Sequence, residues 1–198
     1  MKLFLATGNQ HKVKEMKKIM QDADVELLSQ ADYDGLPEVV EDRETFGGNA
    51  LKKARELGNY VNLPAIADDS GLVVDALDGK PGVYSARFAG PQATDKENNK
   101  KLLKLLAEVP DEKRQAYFTC AMAFVTLDGE EEIVVGNCAG KIARQPQGES
   151  GFGYDPLFVP EGYRQSFAQL GVEVKNKISH RAKALQKMKR VLKRKDLI

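Results

Sequence analysis

An α/β fold with a mixed parallel and antiparallel sheet flanked by helices is predicted from three observations. Residues 2–12 read as a strand, a loop and a helix start; a hairpin signature follows residue 127; and helical patterns are interspersed among the strands. Two lobes with a cleft are expected, the whole of 1–198 forming one domain.

The elements follow in order. Residues 2–7 form a short apolar run that Gly8 and Asn9 break, and a helix then lines up Val13, Met16, Ile19 and Met20. Phe46, Ala50, Ala54 and Leu57 recur at helical spacing, and Gly58 is expected to end that helix as a left-handed cap. Residues 64–67 lead into Asp68-Asp69-Ser70-Gly71, after which a further strand over 72–77 closes at an Asp78-Gly79 turn. Thr94 and Glu97 make a capping box for a helix carrying Leu102, Leu103 and Leu106, which leaves at Pro110 and reads as purely structural. Residues 115–127 and 131–142 are strands joined at Asp128-Gly129. A glycine-rich loop over 148–156 precedes a short strand, and a basic helix from about His180 ends the chain.

Composition limits the function classes. With 42% hydrophobic and 30% charged residues, the chain is that of an ordinary globular protein. Its apolar runs fall short of the roughly 20 residues that span a bilayer, and a cytoplasmic location without a membrane partner is expected. A net charge of +1 argues against a general nucleic-acid binder. Cys120 and Cys138 lie in strand patterns and read as small buried hydrophobes.

Four places could carry chemistry. Thr7-Gly8-Asn9-Gln10-His11-Lys12 spans a strand end and a helix start, where backbone N–H groups and the helix dipole favour an anion; the alternative is an ordinary capped helix. It lacks the second glycine and the Lys-Ser/Thr pair of a P-loop. Asp68 and Asp69 follow an apolar strand and offer hard oxygens of the kind Mg²⁺ prefers, with strand geometry sending them to opposite faces. Glu41 and Asp42 could complete a metal site or simply cap a helix. Phe152 and Tyr154 around Gly153 could stack on a base or pack a core. Ser179-His180-Arg181, with Lys175 shortly before, could donate to a carbonyl oxygen or phosphate. No Gly-x-Ser-x-Gly elbow is present, and His11 and His180 are the only histidines, so a histidine-rich zinc site is excluded by counting. In the C-terminal helix, Ala184, Met188, Val191 and Leu192 make an amphipathic stripe among lysines and arginines; nucleic-acid binding there is the non-enzyme reading.

These segments together resemble the inosine triphosphate pyrophosphatase family over essentially the full chain. The motifs are Thr7-Gly8-Asn9-x-x-Lys12-x-x-Glu15, Glu41-x-x-x-Thr45-Phe46-x-x-Asn49-Ala50, Ala67-Asp68-Asp69-Ser70-Gly71-Leu72, Gly151-Phe152-Gly153-Tyr154-Asp155-Pro156 and Lys175-Asn176-x-Ile178-Ser179-His180-Arg181. Residues 81–87 agree as well. The chain departs from the family at Gly48 and Val174, where the family often has Glu. The resemblance implies an elongated fold of two lobes around a nucleotide-binding cleft, usually a homodimer, that acts with Mg²⁺ on ITP, dITP and XTP to release the monophosphate and pyrophosphate. It gives Thr7 to Lys12 and Lys175 to the phosphates, Glu41 and Asp69 to the metal, and Asp69 also to activation of the attacking water. It sets Ser70 against substrate, Phe152 on the purine with Gly153, Tyr154 and Asp155 shaping the pocket, and His180 with Arg181 on the 6-oxo group. A stable nucleic-acid partner is not expected, and a Maf-type pyrophosphatase with another base preference is the sibling reading.

Overall fold

Short runs of apolar residues build the sheet in the computed structural model, which describes residues 1–198. β1 (Lys2–Leu5) pairs in parallel with β2 (Glu26–Ser29), Lys2 opposite Glu26 and Leu5 opposite Ser29. On its other edge β1 runs parallel to β3 (Ala65–Val74), Phe4 opposite Ala65. β4 (Gln115–Val125) and β5 (Glu131–Ile142) are neighbours joined by a tight turn, in which Gly129 takes a φ of +90° and Thr126 N–H donates to Glu130 O at 3.0 Å. β6 (Phe158–Pro160) completes an antiparallel pair with β5, Gly140 opposite Pro160. The order β2-β1-β3-β4-β5-β6 therefore mixes parallel and antiparallel neighbours, as the alternation of elements predicts.

Five helices accompany the sheet. Asn9 caps α1 (Gln10–Met20) by accepting from the His11 and Lys12 amides, and Thr45 caps α2 (Phe46–Val61) through Gly48 N–H. α3 (Asp95–Leu105) opens with the expected Thr94–Glu97 box. α4 (Phe167–Ile178) opens with a second box, Ser166 and Gln169, and α5 (His180–Arg194) follows directly. None is long and apolar enough to cross a membrane.

The chain divides into two units. The first, of residues 1–69, 120–136 and 181–198, buries Leu3, Leu5, Met16, Phe124, Leu185 and Met188 in one cluster and Phe4, Ala50, Ala54, Leu57 and Ala65 in another. Alternate β1 side chains feed the two clusters, the period of two that a strand imposes. The second unit, of residues 70–119 and 137–180, is built on Leu72, Val74, Leu102, Phe118, Phe158 and Phe167. Its rings meet at centroid distances of 4.7 Å for Phe118–Phe158 and 5.3 Å for Phe158–Phe167.

Two expectations need correction, and one helix was not expected. Asp68-Asp69-Ser70-Gly71 does not separate two strands: β3 runs unbroken through it and stops at Val74, with residues 75–77 in a 3-10 turn. The helix over 167–178 is absent from the periodicity, because Gly171 at φ +77° breaks its regular course. Gly58 does not end α2, which runs to Val61 and is capped by Asn62 at φ 54°. A Cβ at Gly58 would lie 2.8 Å from the Ala65 Cβ and 3.1 Å from the Leu63 carbonyl. The glycine is there because α2 presses against β3. Helix propensity alone would make Gly58→Ala stabilising; the contact reverses the sign, and the substitution is expected to destabilise by about 1–3 kcal/mol in urea unfolding. A gain in stability would show that the two elements can move apart at no cost.

Candidate active site

A strand turns successive side chains to opposite faces, and β3 does so with adjacent carboxylates. Asp68 is fully buried, with Lys12 Nζ at 3.0 Å and Arg181 Nε at 3.3 Å on the same carboxylate oxygen, and with the Cys120 Sγ at 3.8 Å. Arg181 reaches from the first turn of α5 and also pairs with Glu15 of α1. Burial pushes the Asp68 carboxyl up, but Lys12, Arg181 and Lys53 outweigh it and hold the group well below the ordinary carboxylate range. Burial opposes the Arg181 charge in the same way, and Asp68 and Glu15 secure it.

Asp69 faces other company. Its Oδ2 accepts from Asn49 Nδ2 of α2 at 3.0 Å, and it is only 6% exposed. Burial, then the Glu41 charge, push its carboxyl above the ordinary value; Lys53 opposes them. Lys53 bonds Glu41 and feels the fields of Glu41, Asp68 and Asp69, which raise it against the effect of burial. Sequence reasoning gave Lys53 no role. The available signal was a lysine one turn after Asn49 on a face that also carries Phe46 and Leu57.

This donor set fits a hard divalent cation. Besides burial, the Glu41 charge acts on Asp69 to raise its carboxyl, and Lys53, bonded to Glu41, offsets it together with the more weakly felt Lys12. A magnesium-type ion commonly takes one or two carboxylates and completes its shell with phosphate and water. At the start of α1, Thr7 is buried and Asn9 takes up the His11 and Lys12 amides, so the Lys12 side chain, rather than those amides, carries the positive charge of the segment. Gly8 stands beside Gln30, whose Oε1 would be 2.9 Å from a Cβ there.

The second unit carries the aromatic loop. Asp155, buried, accepts from Phe152 N–H at 3.0 Å and from Lys175 Nζ at 2.6 Å, and that ammonium lies 4.2 Å from the Phe152 ring centroid. Lys175 is therefore drawn into the loop. Gly151 has a φ of +86°, and a Cβ there would clash with the Asp155 carboxylate. Tyr154 packs in the core and donates its hydroxyl to Ser85 O at 2.8 Å, while half-buried Ser70 lies in β3. The His180 ring stacks on Phe118, 4.7 Å between centroids and 16° from parallel. At Gly48, where a Glu was the alternative, a Cβ would lie 3.0 Å from the Arg43 Cβ.

The asymmetry between the aspartates has a consequence for stability. Asp69 has a folded-state pKa above its ordinary 3.8, so its contribution favours the fold at low pH and is lost as pH rises through the folded value. Asp69→Asn is expected to raise the thermal midpoint at pH 7 in metal-free buffer; an unchanged or lower midpoint contradicts the upward shift. Asp68 has the opposite sign: its contribution is present above the ordinary value and lost as pH falls through the depressed one. Asp68→Asn leaves Lys12 and Arg181 poorly compensated and is expected to cost about 3–5 kcal/mol at pH 7.

Known proteins resemble this chain over nearly its whole length. The Ham1 family profile matches residues 3–191. A dITP/XTP pyrophosphatase of Opitutus terrae is 51% identical over 194 residues, covering 93% of this chain and 95% of its own. One of Desulforamulus reducens is 49% identical, covering 98% and 96%. Among solved structures, a Ham1 protein from Coxiella burnetii superposes with a TM-score of 0.90 at 38% identity, covering 98% of this chain and 99% of its own. The Ham1 protein of Staphylococcus aureus gives 0.89 at 36%, covering 98% and 100%. Motifs, fold and overall similarity agree, and the chain belongs to the Ham1 family.

Proposed function

We propose that this protein hydrolyses the triphosphates of deaminated purines, ITP, dITP and XTP, to the monophosphate and pyrophosphate. The observation that carries the reading is the division of labour in β3: Asp68 is locked by Lys12 and Arg181 at 3.0 and 3.3 Å, while Asp69 accepts from Asn49 and lies beside Glu41 and Lys53, company that suits a carboxylate serving a metal and a water. The names of the relatives in Opitutus terrae and Desulforamulus reducens support it. They lend nothing to a Maf-type enzyme.

Glu41 and Asp69 would hold Mg²⁺, which when bound neutralises phosphate charge and lowers the barrier to attack. Asp69 accepts the proton of the attacking water, Asn49 fixing the orientation of its carboxylate. Attack at the α-phosphorus breaks the bond to the β-phosphate, and pyrophosphate leaves. Lys12 and Lys53, with the segment from Thr7 through Gly8, Asn9, Gln10 and His11, take the negative charge that develops; losing one such preorganised contact costs about 10²–10³ in turnover. Phe152 stacks on the purine, in a loop whose Asp155 and Lys175 are mutually paired. Ser70 meets substrate beside Asp69. His180 and Arg181 donate to the 6-oxo group, where adenine would present a donor of its own. The family's homodimer in the cytoplasm is the expected assembly and location.

The test is pyrophosphate release from ITP, XTP, dITP, GTP, ATP and dTTP, with and without Mg²⁺. Metal-dependent turnover of ITP and XTP is expected to exceed that of ATP by as much as about 10⁴–10⁵, the discrimination a site reaches when the wrong group leaves buried donors facing donors. Equal turnover of ATP sinks the reading, and preference for dTTP turns it to the sibling family. Phe152→Ala is expected to weaken ITP binding by about 1–3 kcal/mol, read mainly in KM; an unchanged KM removes the stacking role.

A further inference from the structure

α3 reads from the sequence as purely structural, yet three residues of its first turns grip two functional loops. Asp95 accepts from Gly153 N–H at 2.6 Å, and Asn99, one turn on, donates through Nδ2 to Gly153 O at 2.9 Å. The same helix face thus holds both polar groups of one residue. Asn98 beside it does likewise for the segment that follows Ser85, donating to Ala86 O at 3.0 Å and accepting from Ala89 N–H at 2.7 Å. Tyr154 ties the two loops together through Ser85 O.

Gly153 needs such a grip. Its φ of +60° suits glycine, and apart from its chain neighbours no atom lies within 4 Å of the place a Cβ would take, so nothing packs against it on that side. Its peptide sets the direction of Phe152 on one side and of the Tyr154–Asp155 segment on the other. We infer that Asp95 and Asn99 are positioning residues that fix the Gly153 peptide and through it set selectivity among purine bases. The inference rests on the nucleotide reading above and adds to it where base discrimination is stored: in polar side chains of a helix that need not touch the substrate. An error of about 1 Å in a binding constellation is enough to lose discrimination that depends on one or two polar atoms.

The experiment measures kcat and KM for ITP, GTP and ATP with the full-length protein, its Asp95→Ala and Asn99→Leu variants, and the conservative Asp95→Asn, which keeps an acceptor for Gly153 N–H. Asp95 is exposed, so its replacement is expected to leave the fold intact, which a thermal melt checks. For Asp95→Ala, KM for ITP is expected to rise about tenfold with kcat within about threefold, and the preference for ITP over GTP to fall by a similar factor, Asp95→Asn restoring most of both. Asn99→Leu is expected to act in the same direction. A uniform fall in kcat for every nucleotide, with KM and the ratios unchanged, overturns the inference and leaves α3 structural. So does wild-type behaviour of Asp95→Ala. A wild-type protein that cleaves none of the nucleotides overturns the functional reading and this inference with it; an active one with unaltered selectivity in the variants overturns the inference alone.

Discussion

The carboxylate of Asp68 is the constraint on which the first unit depends. A negative charge with no exposed surface is untenable alone, since moving an ion from water into protein costs several kcal/mol even after relaxation. Lys12 from α1 and Arg181 from α5 meet it, and Glu15 balances the second cation from the opposite end. Two helices that begin and nearly end the chain are thereby pinned to one residue of β3. Their apolar stripes, with Val13, Met16, Leu185 and Met188 in a common cluster, supply the nonspecific energy; the ionic quartet supplies the register.

With Asp68 settled by cations, its neighbour is left available for the base role proposed above. One step along the strand reverses the face, and Asp69 meets a neutral amide, a second carboxylate and the offsetting field of Lys53 rather than two cations bonded to it directly. The fold is less stable for holding it ionised, as expected where chemistry needs a charge the protein does not fully neutralise. Lys53 is the compromise. Bonded to Glu41 and within the fields of Asp68 and Asp69, it offsets the repulsion between carboxylates that distant segments bring together.

Much of this was legible in order rather than in detail. The break at Gly8-Asn9, Thr94 with Glu97, and the turn at Asp128-Gly129 are local chemistry, and local chemistry can be read from spacing. The opposite facing of Asp68 and Asp69 was legible because strand geometry admits no other outcome. Their place in the middle of β3 was not: aspartate, serine and glycine are depleted in strands, and the cations that compensate Asp68 there come from distant segments. Gly58 shows the same limit, since a glycine serving a close contact and a glycine serving a cap are the same letter. Lys53 was hidden because lysines on helices are usually solvated, and the carboxylates that draw this one inward lie elsewhere in the sequence.

The two units solve the problem of rigidity with different emphasis, although the buried Lys175–Asp155 pair brings short-range charge to the second as well. In the first, strong charges at short distance fix side chains, and the backbone beneath them is regular strand and helix. In the second, the loop that would read the base is rich in glycine, which permits φ values of +86° at Gly151 and +60° at Gly153 but carries the greatest conformational freedom of any residue. A residue without a side chain offers apolar packing little to hold, and nothing packs where the Gly153 Cβ would lie. Restraint must come through the backbone N–H and C=O, and the groups able to reach both are short polar side chains on a rigid neighbour. Asp95 and Asn99 meet that requirement on α3, and Asp155 meets it within the loop by accepting from Phe152 N–H. The polar residues that make α3 look like an ordinary solvated helix are therefore what a glycine loop demands of the element beside it.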